Sequence, residues 1–439
     1  MQKTNQTCLG EFTRYTILNV LGTLGVSCYI LADTFFISKG LGTNGLAALN
    51  LAIPAYNFLY GTGLMLGMGG ATKFSISKSQ KKTEEGNRIY TNTLYMAAFF
   101  SILYVILGLF GSKPLARILG ADEVVLEMTA TYLKWLLIFA PAFLLNTIFL
   151  CFLRNDESPH LTMAAMIIGS FSNIILDYLF IFPMQMGILG AVLATGFSPL
   201  ISILIMLPHW IKKKNTFHII KTKPRIGIIR QNLSLGLPSL IIQVSSGIVM
   251  ITFNTLILNL EGNTGVAAYG VVANIAIVVI AVYNGISEGM QPLTSRFYGK
   301  GEYSLCRQVF RYGITAMTAV SVIVYVLIFL FADPITSIFN SEHSPALQQI
   351  ASLGLKLYFL SNLFVGFNIL LSVYFVSVDR PLPSQILSIL KGIVLIVPIA
   401  IILSSVAGMT GIWLAYPFAE LLTAIPGCII YWKVSKNRK

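Results

Sequence analysis

The chain has 439 residues, of which 55% are hydrophobic and only 11% are charged, and its mean hydropathy is +0.76. Soluble domains carry about 25% charged residues, so this composition excludes a soluble globular protein and predicts a polytopic membrane protein. The formal net charge is +13. Five scattered cysteines include no CxxC pair, which argues against a disulfide framework and against a metal site.

Twelve apolar segments follow one another along the chain, and each has the roughly 20 residues that a bilayer crossing needs. The segments lie at about 15–38, 46–72, 91–111, 130–153, 160–182, 187–209, 234–258, 265–292, 308–332, 350–377, 384–404 and 408–432. The sequence therefore predicts an all-α integral membrane protein with twelve transmembrane helices.

Lysine and arginine are distributed unequally between the two sides of these segments. If both termini lie on one side, that side receives 24 of the 30 Lys and Arg residues and the other side receives five. The positive-inside rule then places both termini in the cytoplasm. Because topology accounts for the positive charge, we predict a multi-pass protein of the cytoplasmic (inner) membrane and no nucleic-acid partner.

The chain contains an internal repeat. The 26 residues that begin at Gly45 resemble, without a gap, those that begin at Gly265, which is an offset of 220. Later in each half, Phe152–Asp156 matches Phe375–Asp379. Loops match as well as apolar segments, so chance similarity between hydrophobic helices is the weaker explanation.

The repeat predicts two six-helix lobes at 1–210 and 233–439, joined by a basic cytoplasmic linker at 211–232. Because each lobe has six spans, both lobes have the same orientation in the membrane. The repeat is therefore parallel, with a pseudo-two-fold axis along the membrane normal. Transporters built in this way hold their substrate between the lobes and alternate access by rocking them.

Two aspartates, Asp33 and Asp177, lie inside predicted spans and have no basic neighbour in the sequence. Ionisable groups at membrane depth are costly and usually functional. The helical rise places both of them, together with Thr195, about 8–12 Å below the outer surface of the hydrocarbon. Asn173 lies one turn before Asp177 and shares its helix face. Three spans of the first lobe thus bring polar groups to one depth.

Two interpretations of these polar groups are open. Ser, Thr and Asn in membrane helices commonly hydrogen-bond neighbouring helices without any further role. Two carboxyl groups at one depth favour a functional site, because neighbouring carboxylates cannot both be charged cheaply and one is expected to hold a proton. Such a pair suits the binding of a proton or another cation.

Three further ionisable residues fall inside spans of the second lobe. Lys391 and Glu420 are both expected about 10–12 Å from the cytoplasmic surface, where they form a structural ion pair. Glu288 lies near the inner end of the eighth span, where it either snorkels to the interface or contributes to an inner gate. The chain has no GxxxxGK[ST] loop for ATP and no Ser/His/Asp pattern. We therefore predict a transporter that is not an enzyme and has no cofactor.

Several motifs resemble the multidrug and toxic compound extrusion (MATE) family, specifically its DinF/MepA-like branch. The motifs are Ala32–Ile37, Gly40–Ala48, Asn50–Pro54, Gly67–Thr72, Arg154–Pro159, Asn173–Asp177 and Gly289–Pro292. The resemblance covers nearly the whole chain. Family members often carry a proline early in the first span, whereas this chain has Ile17-Leu18-Asn19-Val20 there.

The resemblance implies which residues carry the transport function. The cation-coupling site is expected at Asp33, Asn173, Asp177 and Thr195. The substrate cavity is expected beside it, at Tyr29, Asn146, Met166 and Ser170. Either H⁺ or Na⁺ fits the coupling site, with Na⁺ held at Asp33 and Asp177 if it is the ion.

The sequence therefore predicts a secondary active antiporter that exports amphipathic, cationic compounds in exchange for H⁺ or Na⁺ by alternating access. We expect it to act as a monomer in the lipid bilayer. The alternative is a flippase for lipid-linked oligosaccharides, which has the same architecture. Because that substrate carries a pyrophosphate, its cavity needs lining by Arg or Lys, and here only Lys391 falls well inside a span.

Overall fold

The computed structural model describes residues 2–340 and 344–436, which are nearly all helical and include no β-strand. Thirteen α-helices occur in these two ranges, with a short 3₁₀ helix at Phe359–Ser361 and a π-helical turn at Leu390–Val394. The α-helices are α1 (Gln2–Ser79), α2 (Thr83–Ile118), α3 (Leu126–Ile138), α4 (Ala140–Asn155), α5 (Pro159–Ile181), α6 (Gly187–Met206), α7 (Pro208–Ile211), α8 (Ile226–Gly299), α9 (Tyr303–Phe339), α10 (Pro345–Tyr358), α11 (Asn362–Ser377), α12 (Pro381–Ile389) and α13 (Ile396–Lys436).

Three of the long helices are broken at a glycine. The breaks lie at Gly42 in α1, Gly262 in α8 and Gly408 in α13, where φ is 66°, 61° and 55° and ψ is −156°, −152° and −133°. This backbone conformation is essentially restricted to glycine, because a Cβ atom would clash with the peptide groups on either side. Each break ends one membrane crossing and starts the next.

The breaks account for the number of spans. Within the described ranges, eight helical stretches are long and apolar enough to cross a membrane, and α3 with α4, bent by 50°, forms a ninth. Three of these stretches contain a glycine break and supply two crossings each. The prediction of twelve transmembrane helices is thereby confirmed.

The backbone reproduces the internal repeat. Residues with positive φ recur at separations of 220 to 222 in the two halves of the chain. These pairs are Gly42 and Gly262, Lys81 and Gly301, Glu157 and Asp379, and Gly187 and Gly408. Tight turns therefore occur at matching places in both halves, including positions where the residue types differ.

The stretch at residues 17–20, where the sequence lacks a proline, is helical. Within α1, Gly42 is the residue with non-helical backbone angles, so residues 17–20 keep helical backbone angles. Asn19 is buried here, and its Oδ1 accepts a hydrogen bond from Arg154 Nη1 at 2.9 Å.

The helices pack into two compact units. The N-terminal unit comprises Ile17–Val244 and Ser295–Glu302, and the C-terminal unit comprises Met1–Thr16, Ser245–Thr294 and Tyr303–Lys439. These units are defined by packing, whereas the predicted lobes follow the repeat. The lobe boundaries at 211–232 stay a prediction.

The N-terminal unit has an apolar core around the bend between α3 and α4. Leu133, Leu136 and Leu144 are fully buried there and pack with Ile37 of α1 and Val192 of α6. Residues of α3 and α4, on both sides of the bend, belong to the same core as residues of α1 and α6. Packing in this core therefore holds α1 and α6 beside each other. This arrangement positions the polar side chains that these helices carry.

A buried polar junction lies at the end of α4. The Asp156 carboxylate accepts hydrogen bonds from Lys78 Nζ at 2.8 Å, from His209 Nε2 at 2.9 Å and from the Thr216 backbone N–H at 3.0 Å. Burial by itself would raise the pKa of Asp156, but the hydrogen bonds from His209, Lys78 and Thr216 outweigh burial and hold the pKa below its usual value.

The glycine breaks predict a contrast between two substitutions in α8. Gly262→Ala places a Cβ in a glycine-only conformation and is expected to destabilise the protein by about 1–3 kcal/mol. Gly270→Ala is the control, since a Cβ at either glycine meets no atom within 4 Å and Gly270 is helical. It should be neutral or stabilising by up to about 1 kcal/mol. Thermal unfolding in detergent measures both, and equal effects would contradict the role of backbone strain.

The Asp156 junction predicts a pH-dependent loss of stability. The folded-state pKa lies below the unfolded value of about 3.9, so the stabilisation is complete above that pH and is lost as pH falls through the folded-state pKa. Asp156→Asn is therefore expected to be less stable than wild type at pH 7 by about 1.5–3 kcal/mol. The difference should narrow below about pH 4. Glu157→Gln, at the exposed neighbouring carboxylate, should match wild type throughout.

Candidate functional site

The two intramembrane aspartates meet in the N-terminal unit. Asp33 lies on α1 and Asp177 on α5, with 7% and 0% of their surface exposed. Their side chains are within hydrogen-bonding reach of each other. A hydrogen bond between two carboxyl groups requires that one of them carries a proton, because two carboxylates have only acceptor oxygens. The pair can therefore hold a proton, or a cation that both oxygens share.

Asn173 joins this pair to α6. With its amide oriented so that both ends are satisfied, the Asn173 nitrogen donates to Asp177 Oδ2 at 3.0 Å, and its oxygen accepts from the Thr195 backbone N–H at 3.3 Å. Asn173 is fully buried and precedes Asp177 by one helical turn. The amide thus fixes the orientation of the Asp177 carboxyl group. The Oδ1 atoms of Asp33 and Asp177 are buried and accept no hydrogen bond from an N–H or hydroxyl donor among the described residues.

The depth of Thr195 predicts that its hydroxyl lies beside the aspartates, but the hydroxyl hydrogen-bonds its own helix instead. Its hydroxyl donates to the Ala191 carbonyl oxygen at 3.1 Å, one turn earlier in α6. The Tyr132 side chain lies close to the Thr195 hydroxyl. Tyr132 lies on α3, is 3% exposed and is close enough to both aspartates to interact with them electrostatically. Tyr132 was not among the predicted site residues, although it is a tyrosine inside a predicted span.

Tyrosines border the acidic pair on the α1 side. The Tyr29 and Tyr56 hydroxyl groups hydrogen-bond each other at 2.9 Å, and both side chains interact electrostatically with Asp33. The rings of Tyr56 and Tyr60 are stacked, with centroids 6.0 Å apart and an interplanar angle of 4°. This face combines aromatic rings with a nearby carboxyl group.

The remaining predicted cavity residues lie in the same unit but have different surroundings. Ser170 is buried, and its hydroxyl donates to the Met166 carbonyl oxygen at 2.7 Å, so its helix satisfies it. The Met166 side chain packs against Gly22 of α1. Asn146 is half-buried, and its Oδ1 has no hydrogen-bond partner among the described residues. Of the four predicted cavity residues, Tyr29 is the one with an interaction with Asp33.

The described residues contain no group of three or more His, Cys, Asp or Glu side chains arranged to hold a metal ion. The site at Asp33 and Asp177 has two carboxyl groups and the Asn173 amide. Oxygen ligands of this kind suit hard monovalent and divalent cations as well as a proton. Na⁺ at this pair stays a prediction.

The C-terminal unit has a separate charged pair. Lys391 Nζ lies 3.2 Å from Glu420 Oε1, and Glu420 Oε2 accepts from Asn368 Nδ2 at 2.7 Å. Lys391 belongs to the π-helical turn at Leu390–Val394, which changes the register of the helix at this point. Each oxygen of the buried Glu420 carboxylate thus has a partner, as a structural ion pair requires. Glu288 lies half-buried in α8, and its role stays a prediction.

A comparison with known protein families identifies the chain. The MatE family model matches residues 20–179 and 238–402, which is most of the chain and includes matching parts of both halves. This protein belongs to the MatE family. The resemblance inferred from the sequence motifs is thus confirmed, and Asp33, Asn173 and Asp177 fall within the first matched region.

Relatives and solved structures agree with this assignment. The chain is 23% identical over 420 residues to the multidrug export protein MepA of Staphylococcus saprophyticus and 24% identical over 424 residues to that of Staphylococcus aureus. Both alignments cover 95% of this chain and 92% of the relative. An outward-facing multidrug resistance MATE family transporter superimposes with a TM-score of 0.91 at 24% identity, covering 97% of this chain and 96% of that structure.

The ion pair in the C-terminal unit predicts strong coupling between its members. Lys391→Met and Glu420→Gln should each destabilise the protein by about 3–5 kcal/mol, because each leaves one buried charge without its partner. The double variant should be much closer to wild type, since it removes both charges and keeps an acceptor for Asn368. A double-mutant cycle on unfolding in detergent measures the coupling. Additive effects would show that the two charges are independent.

Proposed function

We propose that this protein is a secondary active efflux antiporter, in which Asp33 and Asp177 bind the coupling cation. The observation that carries the proposal is the contact between the two carboxyl groups inside a membrane-embedded unit, with Asn173 orienting one of them. Ionisable groups at this depth mark ion and substrate pathways. The MepA relatives are named multidrug export proteins, which supports export of small molecules here as well.

Coupling follows from the charge of the pair. When one proton or cation is bound, the two carboxyl groups attract each other and α1 stays close to α5. When the proton or cation leaves, two like charges face each other in a medium of low dielectric constant, and their repulsion favours separation of the helices. Asn173 and Thr195 connect this change to α6. Alternating access would then be driven by loading and unloading of the pair.

The proposed substrates are amphipathic organic cations. The rings of Tyr29, Tyr56 and Tyr60 offer aromatic faces, which attract cations through their quadrupoles. Asp33, beside Tyr29 and Tyr56, supplies a negative charge when it is ionised. A substrate cation and the coupling cation would therefore compete for the same carboxyl groups, which couples the binding of one to the release of the other.

The flippase alternative needs a positively charged lining for a pyrophosphate group. Lys391 is the lysine that lies well inside a span, and it is neutralised by Glu420 at 3.2 Å. The N-terminal unit presents carboxyl groups to its site instead. Charge complementarity therefore favours export of cations over translocation of a pyrophosphate lipid.

The proposed location is the cytoplasmic membrane, with both termini in the cytoplasm and the protein acting as a monomer. The excess of Lys and Arg on the side of the termini supports this orientation. The bacterial origin of the MepA relatives supports the inner membrane.

Gradient-driven efflux from proteoliposomes tests the proposal. Efflux of a fluorescent organic cation is measured with an imposed pH gradient or an imposed Na⁺ gradient, for wild type, Asp33→Asn and Asp177→Asn. Each variant is expected to lose at least about tenfold in gradient-driven rate, because an amide does not titrate a proton at these pH values and has no negative charge to attract Na⁺. The gradient that drives wild-type efflux identifies the ion as H⁺ or Na⁺.

Glu123→Gln is the matched control, because it also neutralises one carboxylate of the N-terminal unit but at an exposed position. Its efflux should equal that of wild type. Undiminished efflux by Asp177→Asn under either gradient would refute the proposed coupling site. Transport of a pyrophosphate-linked lipid without cation efflux would favour the flippase.

A further inference from the structure

The segment between α7 and α8 is a fixed part of the N-terminal unit. Residues 211–226 form what we call the linker strap, which runs without regular secondary structure over most of its length along one face of α2. Four side chains of α2 hydrogen-bond backbone groups of the strap at 2.8–3.1 Å. These contacts join Asn87 to His218, Thr91 to Ile220, Asn92 to Arg225 and Tyr95 to Thr222.

An aromatic anchor fixes the strap at a second place. Phe217 is fully buried, with its ring centroid 4.6 Å from that of Tyr90 and 5.4 Å from those of Phe74 and Phe152. The preceding Thr216 donates to the buried Asp156 carboxylate. Because these contacts hold the backbone of the strap against the helices, they fix where along the helices its exposed side chains begin.

The outward side of the strap is strongly basic. It carries six Lys and Arg residues, all of which are exposed, and it contains no acidic residue. These residues are Lys212, Lys213, Lys214, Lys221, Lys223 and Arg225. None of them lies within 4.0 Å of a carboxylate among the described residues. By contrast, Lys78 and Arg88 of the same unit form ion pairs.

Large apolar side chains are interspersed with these charges. Ile211, Ile219 and Ile226 are 75%, 71% and 82% exposed, at the two ends and the middle of the strap. The strap comes after the end of the α6 span and precedes the α8 span, so it lies at the bilayer surface. Basic groups alternating with apolar ones at this level suit the boundary between lipid headgroups and acyl chains.

We propose that the linker strap is a binding edge for anionic phospholipids of the leaflet on its side of the membrane. The exposed Lys and Arg side chains contact the lipid phosphate groups, and the three isoleucines insert among the upper acyl carbons. A juxtamembrane cluster of this size attracts anionic lipid, since each basic residue near the surface adds to the attraction. Here the backbone of the cluster is already held against α2, so lipid binding needs to order only the basic side chains.

Lipid binding to the purified full-length protein tests the proposal. The protein in detergent is titrated with phosphatidylglycerol or phosphatidylcholine, and native mass spectrometry counts the lipids bound. The strap variant replaces four exposed basic residues by glutamine, at Lys213, Lys214, Lys221 and Lys223. The matched control variant does the same at four exposed basic residues elsewhere on the proposed cytoplasmic side, at Lys81, Lys300, Arg380 and Lys433.

Wild type and the control variant should bind phosphatidylglycerol in preference to phosphatidylcholine, and the strap variant should lose about tenfold or more of that preference. Raising the ionic strength should reduce the preference of wild type, because salt screens exposed charges. An unchanged preference in the strap variant would overturn the proposal. Equal losses in both variants would also overturn it, because they would show that net charge alone attracts the lipid. Neither result depends on whether the protein exports cations.

Discussion

The contact between Asp33 and Asp177 is the constraint on which the site in the N-terminal unit depends. Two carboxyl groups that meet inside a bilayer cannot both be ionised without a large electrostatic cost, which is the physical basis for the proposed binding of a proton or another cation here. The surrounding side chains and helices hold this pair in place. Asn173 fixes one carboxyl group, Tyr132 and Thr195 connect α3 with α6, and the leucines around the bend between α3 and α4 keep these helices together.

The acidic pair belongs to one unit although the fold is repeated. At the sequence offset of 220 Asp33 corresponds to Phe253, and at the offset of 223, which relates Phe152–Asp156 to Phe375–Asp379, Asp177 corresponds to Ala400; both Phe253 and Ala400 are apolar and fully buried. The C-terminal unit instead contains a carboxylate that is paired with a cation, because Lys391 neutralises Glu420. Duplication thus produced two similar helical frames, and substitution at a few buried positions gave each frame its own electrostatics. The proposed cation site therefore belongs to the N-terminal unit alone.

The segment after α7 shows how a connection becomes part of a folded unit. Its composition is that of a basic linker, yet its backbone is hydrogen-bonded to α2 and Phe217 is buried among aromatic rings. The polar residues of α2 that make these contacts look ordinary in the sequence, since Asn and Thr near a helix start are common. These contacts leave the basic side chains of the strap exposed, and the end of α4, at Asp156, is a junction between the helices and the strap.

The sequence by itself determined the membrane class, the twelve spans, the repeat and the aspartates of the acidic site. The reason is that the length of apolar segments, the distribution of Lys and Arg, and the presence of carboxyl groups inside apolar segments can all be read from local sequence. The similar depth expected for Asp33, Asp177 and Thr195 also follows from helical rise, as does the position of Asn173 one turn before Asp177. Tertiary structure decided which of them touch. Rotation of each helix about its axis depends on packing, so the Asp33–Asp177 contact, the orientation of Asn173 and the position of Tyr132 required the assembled core. The distinction between a strap and a free linker also depended on contacts between residues more than a hundred positions apart, which local patterns do not encode.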